Sequence, residues 1–248
     1  GLVVETEMEG PHALGCRVDT ELSFKGEVLE TTRGEAVEGE SCQTFKIPEP
    51  RLWWPNGMGG QPLYEISVIL KDENDHRLDH CRKRIGLRRF DLVREVDAWG
   101  QSFKFRINGV DFFAKGANWI PADTFDCRVT DEDLRDLLQS AAAAHMNCLR
   151  VWGGGVYERD SFYDICDELG LCVWQDFMFA CAAYPAHETS FMENVRCEAE
   201  ENVKRLRHHP SLVLWCGNNE IEQINGLVGE EADAMDWPHY AALFDELL

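Results

Sequence analysis

Over roughly its first ninety positions the chain runs through short alternating or β-branched segments, VDTELSF, CQTFKI, PLYEISVIL and HCRKRIG, separated by clusters of Gly, Pro, Asn and Asp. A period of two puts one side of each segment on a core and the other in water, so residues 1–90 predict a small β-sandwich. The connector RLWWPNGMGGQPLY joins two of these strands through Pro55, Asn56 and Gly57. Its residues suit tight turns, and Trp53 and Trp54 read as packing.

Next, SFKFRINGVDFFAKG places Asn108-Gly109 between two runs with alternating Phe or Ile, a hairpin signal. The rhythm then changes. A strand near FFAKGAN precedes a helix capped by Thr130, with Leu134, Leu137, Leu138, Ala141 and Ala142 on one face. NCLRVW is the second strand, followed by a helix with Phe162, Ile165, Cys166 and Leu169 in phase and Gly170 as its stop. LCVWQDF is the third strand, a helix from about Phe191 ends before Pro210, and LVLWC is the fourth strand. Its continuous apolar run reads as a parallel strand covered on both faces. Alternating β and α units imply a parallel sheet, which fits a doubly wound sheet or part of a barrel.

Composition narrows the chemistry. With 24 basic against 45 acidic residues and a formal charge of −21, neither nucleic acid nor an anionic membrane surface is an expected partner. No apolar run has the roughly 18 residues that a spanning helix needs. The start GLVVETEMEG lacks a basic and apolar leader. Ten cysteines without any CxxC pair, three of them (Cys148, Cys172, Cys216) inside apolar runs, read as buried thiols and place the chain in a reducing, cytoplasmic compartment. No metal or other cofactor is expected: no His, Asp or Glu cluster has ligand spacing, and His208-His209 before Pro210 reads as a helix end. The glycines 153–155 lack both GxGxxG and GK[ST] spacing, which argues against a phosphate loop.

The strand ends are the informative positions, because parallel α/β folds build sites there. They carry Asn118, Trp119 and Asp123, then Arg150 and Trp152, then Gln175 and Asp176, and finally Asn218, Asn219 and Glu220. Acids, amides, an Arg and aromatic rings around an uncharged ligand describe a carbohydrate pocket. A structural reading stands beside it at each position: an Arg150–Asp176 ion pair, Trp119 in a core, Asn218-Asn219 as a turn with Glu220 capping the next helix.

The segments GANWIPADTF, NCLRVWGGGVYERDSFYDICDELG, VWQDFMFACAAYP and HPSLVLWCGNNE, with LWWPNGMGGQPLY and RIGLRRF ahead of them, resemble the β-mannosidases of glycoside hydrolase family 2 over nearly the whole chain. The resemblance implies an immunoglobulin-like β-sandwich over residues 1–90 and, over 91–248, about four βα units forming the first half of a (β/α)8 TIM barrel. It implies a retaining exo-acting enzyme on terminal β-mannosides, with Glu220 as general acid/base and Asn219 as the amide holding the sugar 2-hydroxyl. Trp119, Asp123, Arg150, Trp152 and Asp176 are implied as sugar-pocket residues. An acid in this role works from a closed pocket walled by Trp, so Glu220 is expected in one.

The match breaks at the second carboxylate. The family places its nucleophilic Glu on the seventh barrel strand, outside this chain, so the fragment alone is expected to be inactive and to self-associate through open sheet edges. Another family 2 activity (galactosidase, glucuronidase or glucosaminidase) and a non-catalytic carbohydrate-binding module are the competing readings.

Overall fold

The structure is a computed structural model that describes residues 1–9, 15–228 and 235–248. The chain divides into two compact units, Gly1–Trp53 with Pro62–Leu87, and Trp54–Gln61 with Arg88–Leu248.

In the first unit, β1 (Leu2–Glu7) pairs antiparallel with β4 (Glu40–Phe45). A second antiparallel sheet contains β2 (Arg17–Phe24), β3 (Glu27–Glu35), β5 (Tyr64–Lys71) and β6 (Arg77–Ile85) in the order β3-β2-β5-β6. Alternation decides what each strand buries: along β4, Ser41, Gln43 and Phe45 turn inward and their neighbours outward. Phe45 from one sheet meets Leu22, Tyr64, Ile66 and Ile85 from the other, so the two layers share one core. Trp53 is fully buried, in keeping with a packing role.

The second unit opens with the 54–61 turn. The sequence places this segment inside the sandwich. Here Asn56 donates from its side chain to the carbonyls of Ala142 and Met146 (2.8 and 2.9 Å), and from its backbone to Gly170 (2.8 Å). The turn is thereby anchored on the carbonyl oxygens of Ala142, Met146 and Gly170. β7 (Phe90–Val93), β8 (Lys104–Ile107) and β9 (Val110–Phe112) form an antiparallel sheet. The β8–β9 turn has Asn108 and Gly109 both at positive φ, 49° and 85°, as an Asn-Gly hairpin requires.

Four parallel strands follow, β10 (Gly116–Trp119), β11 (Cys148–Val151), β12 (Cys172–Asp176) and β13 (Leu212–Cys216), paired in chain order. Between them run α1 (Asp131–Ala143), α2 (Asp160–Leu169) and α3 (Thr189–Leu206); α4 (Ile221–Val228), α5 (Trp237–Ala241) and a π-type turn at Ala242–Leu247 come after. Thr130 and Asp133 close a capping box at the start of α1, and Gly170 ends α2 in the left-handed conformation. Leu149, Val151, Val173 and Leu212 face the helices and pack with Leu134, Leu138, Phe162, Ile165 and Leu206. The opposite face carries Asn118, Arg150 and Asp176. Gly116 is obligatory: a Cβ there would lie 1.5 Å from the Cys148 carbonyl oxygen.

Three sequence expectations are corrected. Leu137, read as core, is 46% exposed because it lies at the margin of the α1 stripe, while Leu134 and Leu138 are buried. In β13, only Leu212 is buried; Val213 through Cys216 are half-covered, since among the described residues this strand has a single neighbour. Of the ten cysteines, Cys42, Cys81, Cys127, Cys181 and Cys197 are exposed rather than buried. No described helix is long and apolar enough to cross a membrane.

Candidate active site at the parallel strand ends

Arg150 leaves β11 on the face turned away from the helices and reaches three neighbours. Its Nε and Nη2 donate to the two carboxylate oxygens of Asp176 (3.1 and 2.6 Å). Nη2 also donates to Asn219 Oδ1 (2.8 Å), and Nη1 to Asn118 Oδ1 (3.3 Å). One planar fork thereby fixes the ends of β10 and β12 and the residue just past β13. Asp176 has no solvent exposure and takes a third bond from the Gly153 amide (3.1 Å), so its buried charge is matched by a cation and an N–H.

Beyond β12 the chain keeps pairing with the segment after β13. Phe177 N donates to Cys216 O (2.8 Å), Asn219 N to Phe179 O (2.9 Å) and Cys181 N to Asn219 O (3.2 Å), around a parallel bridge between Ala180 and Asn219. Asn219 is consequently buried and oriented, its Oδ1 toward Arg150 and its Nδ2 toward Cys181 Sγ (3.4 Å). Asn218 does what its turn reading expects: Oδ1 accepts from Ile221 N (3.2 Å) at the start of α4. Glu220 sits between them at φ 61°, a left-handed conformation unusual for a residue with a side chain. Its Oε2 lies 3.7 Å from Cys181 Sγ. Arg150, Asn219, Glu220, Tyr240 and Phe244 border an open cleft of about 450 Å³.

Within this chain the Glu220 side chain is exposed, and among the described residues no Trp borders this cleft. Trp119 is half-buried on the helix side of β10, its Nε1 donating to Glu158 Oε1 (2.9 Å) and its ring on Phe162. Trp152 is half-buried under the glycine loop; a Cβ on Gly154 would come within 2.1 Å of its indole. Asp123 accepts from Phe125 N (2.7 Å) and pairs weakly with Arg128 (4.0 Å). Gln175 faces the helices, bonded by the Tyr163 hydroxyl (2.6 Å). The strand ends therefore bring together Asn118, Arg150, Asp176, Asn219 and Glu220, and not Trp119, Asp123 or Gln175. Gly153 faces the carbonyl oxygens of Phe177 and Phe179, which its missing Cβ would meet at 2.6 and 2.7 Å.

Two buried groups elsewhere were not legible. Glu158 is pushed above its ordinary carboxylate range by burial, opposed by the Trp119 bond. Asp164, Asp167 and His209 bring potential ligand atoms within 4.8 Å of one another. His209 Nδ1 and Asp167 Oδ2 are 2.6 Å apart, and Asp167 Oδ1 accepts from Ser211 N (2.9 Å). Both Asp167 oxygens are thus engaged within the protein, and the group reads as an internal hydrogen-bonded pair. Burial pushes the Asp167 carboxyl up, against the opposing bonds from His209 and Ser211.

Residues 2–88 match the model of the glycosyl hydrolases of family 2. Over 237 residues the chain is 43% identical to a β-mannosidase B of Neosartorya fischeri, covering 93% of this chain and 28% of that protein. To a β-mannosidase B of Emericella nidulans it is 48% identical over 215 residues, 86% of this chain and 25% of that protein. A crystal structure of β-D-mannosidase from Dictyoglomus thermophilum superposes with a TM-score of 0.88 at 43% identity, over 99% of this chain and 31% of the other. A Parabacteroides merdae β-glucuronidase, at 18% identity and TM-score 0.74 over 88% of this chain and 26% of its own, shares the fold. The chain belongs to family 2 of the glycosyl hydrolases, spans about a quarter to a third of the relatives' length, and within the family is similar to β-mannosidases.

Proposed function

We propose that this chain carries part of the catalytic apparatus of a retaining exo-β-mannosidase, with Glu220 as general acid/base. In this reading residues 1–90 are an immunoglobulin-like β-sandwich and residues 91–248 the first half of a (β/α)8 barrel, its four strands being β10 to β13. The observation that carries it is the placement of Glu220 directly after Asn219, whose amide is oriented by the Arg150–Asp176 pair at the mouth of a parallel sheet. Similarity to β-mannosidases at 43–48% identity favours mannose over the sugars of the more distant glucuronidases.

A retaining glycosidase uses two carboxylates about 5 Å apart, one donating a proton to the departing oxygen and the other attacking the anomeric carbon. Glu220 takes the first role and then accepts a proton from the incoming water. The attacking carboxylate belongs to a part of the enzyme outside these residues, as do the walls that close the pocket over Glu220. Asn219 holds a sugar hydroxyl; Arg150 and Asp176 act by holding Asn219. Trp119, Asp123 and Trp152 lie outside the cleft that Arg150, Asn219 and Glu220 border, so this reading gives them no direct sugar contact. The same proposal places the protein in the cytoplasm and has the isolated 248-residue chain self-associate through the edges of β10 and β13, which sedimentation would test.

The enzymatic test is a panel of nitrophenyl β-glycosides with the full-length protein that contains this chain. β-Mannoside is expected to be turned over fastest, with retained configuration in the first-formed product by NMR. Glu220→Gln is expected to lose on the order of 10²–10⁴-fold in kcat. A faster galactoside, glucuronide or glucosaminide, or an unimpaired Glu220→Gln, would overturn the assignment.

A further inference from the structure

We infer that Cys181 is a positioning residue for the proton-transfer step, holding the carboxylate of Glu220 and the amide of Asn219 in one hydrogen-bonded row. The inference rests on the β-mannosidase reading of Glu220 and adds to it a residue outside the Arg–Asp–Asn–Glu set.

Cys181 lies 39 residues before Glu220, and its position comes from backbone bonding. The Ala180–Asn219 bridge and the bond from Cys181 N to Asn219 O (3.2 Å) hold its backbone beside the asparagine. On its other side Tyr184 clamps Ala180, the hydroxyl accepting from Ala180 N (2.9 Å) and donating to Ala180 O (3.3 Å). Held at both ends, Cys181 adopts φ 49°, as Glu220 adopts φ 61°. Two adjoining residues with side chains in the left-handed region point to a conformation maintained by its surroundings.

The sulfur is the link. Asn219 Nδ2 donates to Sγ at 3.4 Å, and the S–H is left to donate to Glu220 Oε2 at 3.7 Å. The row then runs from Asp176 through Arg150, Asn219 and Cys181 to Glu220, with donor and acceptor matched at every step. Among the hydrogen bonds of the described residues, this thiol is the one side-chain partner of the Glu220 carboxylate. An exposed carboxylate on a strained backbone has rotamers to lose, and a single weak donor biases it toward the Asn219 side, where the sugar oxygen arrives.

The proposal is tested in the full-length protein with two β-mannosides, a methyl or alkyl glycoside whose leaving oxygen must be protonated and a dinitrophenyl glycoside whose leaving group needs no proton. Cys181→Ala is expected to lower kcat on the alkyl glycoside roughly five- to tenfold, the scale of one hydrogen bond. On the dinitrophenyl glycoside kcat/KM, which covers only the steps up to the glycosyl-enzyme and so leaves out the base-assisted water step, should stay within about twofold, because acid assistance contributes little to so good a leaving group. Cys181→Ser restores an O–H donor at the same place and should recover the alkyl rate. Equal losses on both substrates would mark a merely structural residue, and no loss on either would remove the role; each overturns the inference while leaving Glu220 as acid/base. A wild-type protein inactive on both mannosides would overturn the parent reading and this inference with it.

Discussion

Arg150 and Asp176 meet across neighbouring parallel strands as a two-bonded ion pair, 2.6 Å from Nη2 to Oδ2 and 3.1 Å from Nε to Oδ1, with the carboxylate shielded from water. Removing the cation strands a buried anion, whereas removing both charges does not. Arg150→Met is expected to destabilise the protein by about 3–5 kcal/mol. Asp176→Asn added to it should recover a large part of that loss, leaving an amide that Gly153 can still bond. Urea unfolding of the two single variants and the double variant checks this. A double variant no more stable than Arg150→Met would show that the burial of Asp176 is not what makes Arg150 necessary.

The contact between β10 and β11 supplies a sharper steric test. A methyl group on Gly116 would sit 1.5 Å from the Cys148 carbonyl oxygen, a backbone atom that no rotamer change can move. Gly116→Ala is expected to cost about 3 kcal/mol or more, at the upper end of overpacking effects, by forcing the two strands apart. Gly60→Ala, where nothing lies within 4 Å, serves as the control and should be near neutral. Thermal unfolding that ranks the two variants equally would show that the strand pair absorbs the intrusion.

Much of this fold was readable wherever local chemistry and burial agree. Thr130, Asn108 with Gly109, and Gly170 each impose a local backbone state through a cap or a positive φ, and each appears as expected. The order of strands and helices followed from the change in periodicity. Contacts between segments were less legible. Arg150, Asp176 and Asn219 could be picked out as strand-end polar residues, but not the direction each side chain takes. Trp119 and Gln175 turn to the helix side because successive strand residues alternate, while Asn118 and Asp176 turn to the other. Cys181 carried no signal as a site residue, because its position depends on a backbone bridge between segments some 40 residues apart. Exposure of β13 and of five cysteines was missed because an apolar residue in a strand does not reveal whether a neighbour covers it.

Thiol reactivity should follow these environments. Burial pushes the Cys148 thiol up to about 12 and is the largest cause raising Cys166 and Cys172, with neighbouring negative groups such as Asp167 adding to it at Cys166, so these sulfurs are both inaccessible and protonated at neutral pH. The exposed Cys42, Cys81, Cys127, Cys181 and Cys197 are expected to react first with a disulfide reagent at pH 8, and the buried Cys16, Cys148, Cys166 and Cys172 only on unfolding. Alkylation followed by peptide mass mapping separates the groups. Labelling of Cys148, Cys166 or Cys172 in the native protein at the rate of Cys42 would contradict the packing between β11, α2 and β12.

Glu158 gives the pH-dependent test. Its carboxyl is buried and holds its proton to higher pH than its ordinary value of about 4.5, the Trp119 Nε1 bond opposing but not cancelling the burial. A carboxyl with a raised folded pKa binds its proton more tightly in the native state than in the unfolded one, so between the two values the native state carries more protons. Its contribution to stability is full below the unfolded value, falls as pH rises through that value to the folded one, and is flat above. Glu158→Gln keeps an oxygen for Trp119 and has no charge to bury, so it lacks this decline. The variant is expected to gain stability relative to the parent as pH is raised from 4 to 7, measured as the difference in urea unfolding free energy at each pH. Other titrating groups cancel in that difference. A gap that stays constant, or narrows toward pH 7, would mean that ionised Glu158 is as well solvated in the folded protein as in the unfolded chain.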